Sequence, residues 1–280
     1  MDDRPEASNM PDMPDTPNTR AAPDALARTL DAVLLPLGGR TALAAQRFSG
    51  DKAAIHLRAG ETFPAASLAK IPIAIELMRR IDLGQFTESE VFDTTDEPRV
   101  GGGGVLDHLN PALALTLEDL CTLMLIVSDN TAANFLLGLL GIGEINETMS
   151  RINLAKTRLA RRFMDMEARA AGRDNVTTAG EMLTLFSLLR TGAMPGARRI
   201  AEMLSHQQLF EELSDWLPTA AQLAHKTGSL DDVFSDAGLL NGPGGACAYV
   251  VLTAEQKDIP ATRTAVCRVV RTLWDAWCAG

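Results

Sequence analysis

In "FPAASLAKIPIAIELM", residues 63–78, Ser67 and Lys70 stand three apart at the head of an apolar helical run. Three residues is just under one turn, so hydroxyl and amine project from one face and can touch. A serine hydroxyl is a weak nucleophile until a base removes its proton. A lysine serves as that base only when burial or a neighbouring cation lowers its pKa. On a face shared with Ile73, Leu77 and Ile81 an ammonium must be partnered, solvated or neutralised, because burying it alone costs several kcal/mol. SxxK by itself says little: Ser49 and Lys52 in "SGDK" match it too, but there Gly and Asp supply a hairpin turn open to water.

Two tripeptides further along give Ser67 and Lys70 company. "LMLIVSDNTAANFLL" places Ser128, Asp129 and Asn130 between two apolar helical runs, and "AHKTGSL" places Lys226, Thr227 and Gly228 on a predicted strand. Alone, the first reads as a helix N-cap and the second as an edge lysine before a turn glycine. Together and in this order, SxxK, SDN and KTG resemble the signature of the penicillin-recognising serine hydrolases, and among them the class A β-lactamase branch. The resemblance runs from about residue 24 to 280 and takes in the "GGGGVLDHL" loop. It implies that Ser67 attacks a lactam carbonyl, with Lys70 as base or proton relay and Lys226 as the second cation. Ser128 would pass a proton to the departing ring nitrogen. The resemblance puts the oxyanion hole at the backbone N–H groups of Ser67 and Ser229, the residue after KTG. It gives the substrate carboxylate to Lys226, Thr227 and Ser229 beside Gly228, and the substrate's amide side chain to Asn130.

The pattern breaks at one place. Lactamases of this class clear the acyl-enzyme with a glutamate that opens an ExxLN motif on an omega loop. Here the region reads "RLARRFMDMEARAAGRDNVTTAGEM" and holds no ExxLN. Counting forward from Ser128 lands near 164–167, and counting back from "TT" lands near 161–163. Glu167 is the first candidate for the water-activating base and Asp165 the second. Either also reads as a loop carboxylate that is solvated or paired with Arg161, Arg162 or Arg169. The expected function is therefore opening of β-lactam rings through a Ser67 acyl-enzyme. The alternative is an esterase or a penicillin-binding, D-Ala peptidase-like enzyme on the same site, slow to deacylate. A covalent binding module without turnover is the non-enzymatic reading. Some members of the family tie the nucleophile helix to the SDN region through a cysteine seven residues before the serine. Cys121 fills that place, but its counterpart is Ala74, so the bridge cannot form.

The elements that must hold these residues follow from periodicity. "DALARTLDAVLLPLGG" puts Leu26, Leu30, Val33, Leu34 and Leu37 on one helical stripe. "RTALAAQRF" and "AAIHLRAG" read as a hairpin. From 67 to about 198 the pattern is helical almost throughout. "AAQLAHKTGS", "VFSDAGLLNGP" and "ACAYVVLTAE" read as three more strands, and the last helix aligns Val266, Val269, Val270, Leu273 and Trp274. The expected fold is α/β (α+β): a five-stranded antiparallel sheet flanked by N- and C-terminal helices, with an inserted all-helical lobe. The expected boundaries are a disordered acidic tail over 1–23, an α/β lobe from 24–62 and 199–280, and a helical lobe over 63–198. The site would lie between the lobes.

Composition narrows the partners. The 280 residues are 46% hydrophobic, enough for a sizeable core. A net charge of -10 argues against nucleic acid or an anionic membrane surface. No apolar stretch reaches the 18 or so residues of a membrane span. The four cysteines include no CxxC, and the histidines at 56, 108, 206 and 225 form no ligand cluster, so neither metal nor cofactor is expected. The expected partner is a small-molecule substrate, and the expected state is a monomer. The N-terminal stretch shows no basic and apolar leader, which reads as cytoplasmic, or as periplasmic or secreted if a leader is missing.

Overall fold

The computed structural model describes residues 21–280. The acidic tail expected over 1–23 falls outside the described residues up to position 20, and the first helix already starts at Ala21. Among the described residues nine strands run in chain order: β1 (Arg40–Arg47), β2 (Ala54–Leu57), β3 (Thr62–Pro64), β4 (Val91–Asp93), β5 (Ala114–Thr116), β6 (Val176–Thr178), β7 (Gln222–Leu230), β8 (Val233–Gly242) and β9 (Gly245–Ala254). The helices are α1 (Ala21–Leu34), α2 (Lys70–Asp82), α3 (Leu117–Ile126), α4 (Asn130–Leu140), α5 (Ile142–Arg151), α6 (Met166–Ala170), α7 (Ala179–Thr191), α8 (Ala197–Ser205), α9 (Glu212–Asp215) and α10 (Ile259–Trp277). No helix among the described residues is long and apolar enough to cross a membrane.

The main sheet is five-stranded and antiparallel in the order β2-β1-β9-β8-β7, as the sequence pattern predicts. Its central strands are buried along almost their whole length because both faces are covered. Period-two alternation sorts their side chains. Leu43, Ala45, Cys247, Tyr249 and Val251 face a core shared with Leu30 of α1 and Val266, Val270 and Leu273 of α10. Ala42, Ala44, Ala248, Val250 and Leu252 face the inserted helices. The small alanines on β1 let α7 lie close against β1 and β9.

The insertion is not wholly helical. β3 pairs with β6, and β4 pairs with β5, each over three residues. Strands this short carry too few alternations to register as a period, so the sequence pattern passes over them. α2 runs through the middle of the helical lobe, with Ile71, Ile73, Ala74 and Leu77 fully buried. Pro72 sits in its first turn, where the missing N–H is of little consequence. Ser49 and Lys52 lie in the turn between β1 and β2, with Gly50 and Lys52 at positive φ, far from any catalytic arrangement. All four cysteines are free and buried, with Cys247 and Cys278 sulfurs 3.7 Å apart.

Candidate active site

Ser67 lies in a 3-10 turn, Ala66–Ala69, that leads directly into Lys70, the first residue of α2. With three residues per turn, side chains at i and i+3 eclipse, so this turn aligns serine and lysine better than an α-helix would. Lys70 Nζ stands 3.2 Å from Ser67 Oγ. Ala66, just before Ser67, adopts φ +45°, a conformation that costs a non-glycine residue energy and recurs at active sites. Edge strand β7 passes so close to this turn that a Cβ on Gly228 would lie 3.1 Å from Ala65 O and 3.3 Å from Ser67 N. Glycine at 228 is thus what lets the strand bring Ser229, which is exposed, close to Ser67.

Lys70 is fully buried between the lobes. Besides Ser67 it meets Ser128 O at 2.8 Å, Ser128 Oγ at 2.8 Å and Asn130 Oδ1 at 2.7 Å, while the Phe163 ring covers it with its centroid 4.7 Å away. Asn130 is oriented by donating its Nδ2 to Gly101 O at 2.9 Å. Two of the four polar neighbours, a carbonyl and an amide oxygen, can only accept. A neutral amine gives its two N–H bonds to them and keeps its lone pair for a hydroxyl proton from Ser67 or Ser128. The electrostatics favour that form: burial first, then the positive charge of Lys226, push the Lys70 pKa well below the usual lysine range, against an opposing pull from Asp129. Lys226 is also fully buried, and burial brings it down to about 7 even though Asp236 raises it.

The middle residue of the SDN triplet has a different task. Asp129 caps α4 by accepting from Ala132 N and takes the N–H groups of Val105 and Leu106 at 2.7 and 2.8 Å. It thereby ties the four-glycine loop to the helix that carries Asn130. A Cβ on Gly104 would come within 2.1 Å of Asp129 Oδ2, so the tie requires glycine there. Ser128 is held at φ +56° at this junction, which aims its hydroxyl at Lys70.

In the loop near Ser67, Glu167 is exposed on α6, and Asp165 caps that helix by accepting from Ala168 N at 2.8 Å; neither lines the cavity beside Ser67. The residue presented to Lys70 is Phe163. Its N–H donates to Asn134 Oδ1 at 2.8 Å and its carbonyl accepts from Asn134 Nδ2 at 3.1 Å. Arg161 pairs with Asp174 at 2.8 Å, and Asn175 supports both sides, accepting from Ala65 N through its carbonyl and from Ala160 N through its side chain. The cavity beside Ser67 is small, about 50 Å³, and is walled by Gly102, Asn130, Phe163, Met164 and Met166. A larger concavity of about 720 Å³, bordered by Arg198, Gln222 and Asn241, contains none of these groups.

Ser67, Lys70, Ser128, Asn130, Lys226, Thr227, Gly228 and Ser229 thus converge from the 3-10 turn, α2, the α3–α4 junction and β7. Sequence reasoning missed Phe163, which covers Lys70; Gln207, whose Oε1 accepts from Lys226 Nζ at 3.0 Å and Thr227 N at 2.9 Å; and Asp236, which accepts from Thr227 Oγ1 at 2.7 Å. It also missed Asn134 and Asn175, which hold the loop around Phe163. A loop count that already bracketed 161–163 was the one signal for Phe163.

The model of the "Beta-lactamase enzyme family" matches residues 25–277. A β-lactamase of Streptomyces fradiae is 29% identical over 240 residues, covering 81% of this chain and 78% of the relative. The solved β-lactamase of Sphaerobacter thermophilus superposes with a TM-score of 0.80 at 26% identity, covering 91% of this chain and 97% of that one. A variant of PBP-A, solved as its acyl-enzyme with penicillin G, shares the fold at TM-score 0.81 and 24% identity, covering 90% and 96%.

Proposed function

Because the chain belongs to the beta-lactamase enzyme family, we propose that it opens β-lactam rings by the class A serine mechanism. The observation that carries this reading is the single buried lysine that touches both Ser67 and Ser128. Neutral Lys70 takes the Ser67 proton as Oγ attacks the lactam carbonyl. The carbonyl oxygen gains its charge against the N–H groups of Ser67 and Ser229, donors of a kind worth about 3 kcal/mol each in the transition state. The ring C–N bond then breaks. The proton on Lys70 passes through Ser128 Oγ to the departing nitrogen, leaving an ester on Ser67 and a secondary amine in the opened ring.

Water must then release the ester. No carboxylate of the 161–170 loop lines the cavity beside Ser67, whereas Phe163, whose ring covers Lys70, does. This favours a second reading on the same residues: a Ser67 acyl-enzyme that hydrolyses slowly, as in a penicillin-binding, D-Ala peptidase-like enzyme or an esterase. Proton transfer to a placed base contributes about 100-fold or more to water attack, so its lack lengthens the life of the adduct by that order. Intact mass spectrometry with benzylpenicillin, run beside the loss of lactam absorbance, separates the two. Ring opening with no lasting adduct, abolished in Ser67→Ala, supports the lactamase. A lasting single adduct supports the slow acyl-enzyme. Opening that survives in Ser67→Ala overturns both.

A further inference from the structure

On the face of the main sheet turned away from the inserted helices, the chain holds a pair of thiols. Cys247 is on β9, and Cys278 is the residue just past α10. Both are fully buried in the core between the sheet and α10, which also holds Trp274 and Trp277. Their sulfurs stand 3.7 Å apart, and Cys278 Sγ is equally far from Leu240 O on β8. The remaining two thiols are placed differently. Cys121 belongs to the core on the other face of the sheet. Cys267 lies three turns earlier on α10, about 16 Å along the helix axis from Cys278.

The backbone holds the pair in position. Gly244 N–H, in the turn between β8 and β9, donates to Cys278 O at 2.9 Å, and the N–H groups of Cys278 and Ala279 both donate to Trp274 O at 2.9 Å. Gly242 lies so close that a Cβ there would come within 2.4 Å of Cys278 O. Cys278 is thus docked against the β8–β9 turn rather than left on a fraying helix end. A disulfide has an S–S bond of about 2.05 Å, so the sulfurs need to approach by only about 1.7 Å. Small χ1 rotations in the two side chains cover that distance while the backbone stays in place. Exposed Ala279 and Gly280 follow Cys278, which leaves it one residue from solvent.

The surroundings also favour reaction of one sulfur on the other. Arg47 on β1 is the register partner of Cys247, which puts it on the same face of the sheet. Its Nε is buried without a hydrogen-bond partner among the described residues. The hydrogen bond from Cys247 and then the Arg47 charge draw the Cys278 thiol below its usual range, against the effect of burial. That same hydrogen bond, together with burial, pushes Cys247 up. One thiol is thereby inclined to ionise and attack, while the other keeps its proton until it resolves the product.

We infer that Cys247 and Cys278 are an oxidation site, at which hydrogen peroxide converts the two thiols into a disulfide that staples the end of α10 to β9. The Cys278 sulfur attacks the peroxide, the O–O bond breaks, and hydroxide departs, leaving a sulfenic acid on Cys278. The Cys247 sulfur then attacks that sulfur, the S–S bond forms, and the hydroxyl leaves with the Cys247 proton as water. Two thiols lose two electrons, and one peroxide is reduced to two waters. The staple fixes α10, whose Val266, Val270 and Leu273 cover the sheet, and so acts on stability rather than on the chemistry at Ser67.

The test adds hydrogen peroxide to the full native chain and follows intact mass, then alkylation in denaturant and peptide mapping. The expected result is a loss of two hydrogens, about 2 Da, with one cross-linked peptide pair joining Cys247 to Cys278 and with Cys121 and Cys267 still open to alkylation. A thiol reductant should restore the original mass. The thermal midpoint of the oxidised chain should rise by about 5 to 10 °C over the reduced one, and Cys278→Ala should lose that difference. Cross-links to Cys121 or Cys267, sulfinic or sulfonic acid at Cys278 in place of the bridge, or a pair left unoxidised would overturn the inference. An unmoved midpoint in a chain with the bridge mapped would overturn its role as a staple. Mapping of the wild type decides even if Cys278→Ala fails to fold.

Discussion

α2 buries two charged sites within two turns of each other, and they are built on opposite plans. At its start, Lys70 is enclosed by neutral acceptors, an aromatic ring and a second cation, with no carboxylate in contact. Further down, the fully buried Glu76 receives Arg79 at 2.8 and 2.9 Å, Arg80 at 2.8 Å and the Thr148 hydroxyl at 2.7 Å. Its carboxyl is lowered to about 2, since those hydrogen bonds outweigh the upward push of burial. A charge that serves the fold is matched until it cannot be removed. A charge left without a match, as at Lys70, has its neutral, basic form favoured, the state the proposed reaction needs.

Removing the unmatched group should have the largest effect. Lys70→Met keeps the volume and adds no buried charge, so the fold should persist while Ser67 acylation drops about 10³-fold. A rate within tenfold of wild type would remove Lys70 from the role of base.

Glu76→Gln tests the other plan. Arg79 and Arg80 keep partial solvent access, so the loss belongs at the lower end for a broken buried pair, about 3 kcal/mol in denaturant unfolding. Catalysis at pH 7 should be unchanged. The sign with pH is fixed as well. Because the folded pKa lies below the ordinary glutamate value of about 4.3, the stabilisation is full above that value and fades as pH falls toward 2. Unfolding midpoints at pH 6 and pH 3 should differ less in Glu76→Gln than in wild type.

Making the two sites alike sharpens the contrast. Phe163→Glu would give Lys70 a carboxylate neighbour and the cleft a base for water. Adduct lifetime should shorten tenfold to a hundredfold, and the pH dependence of acylation should move upward as Lys70 holds its proton longer. A lifetime unchanged by the substitution would mean that water reaches the ester by another route.

Much of this contrast was legible in the chain. Apolar periodicity gives the terminal helices and all five strands of the main sheet, because each buries one regular face. The trio of motifs gives the groups that meet at Ser67, because their chemistry fixes residue type. What stayed hidden lies in contacts distant in sequence. Phe163 matters only because Asn134 grips its backbone from α4, and Glu167 was favoured by a residue count that could not see α6 turn it outward. Gln207 and Asp236 belong to no motif, and their roles exist only where α8 meets β7.

A further effect comes from the second cation. Since Lys226 is held at about 7 when folded and titrates near 10.4 when unfolded, the unfolded chain binds the extra proton between those values. Its burial therefore weighs most against the fold below pH 7 and is relieved as pH rises toward 10. Wild type should gain denaturant resistance between pH 7 and pH 9.5 relative to Lys226→Met. An equal change in the two proteins would place the proton elsewhere.

The central claim is that an unmatched, neutral Lys70 activates Ser67. It is tested most directly by the pH dependence of Ser67 acylation, read by intact mass with benzylpenicillin from pH 5.5 to 9.5. The account predicts a single adduct, absent in Ser67→Ala, whose rate levels off at a pH well below the ordinary lysine range. A rate that keeps climbing toward the ordinary lysine range, or an adduct that survives in Ser67→Ala, would contradict it.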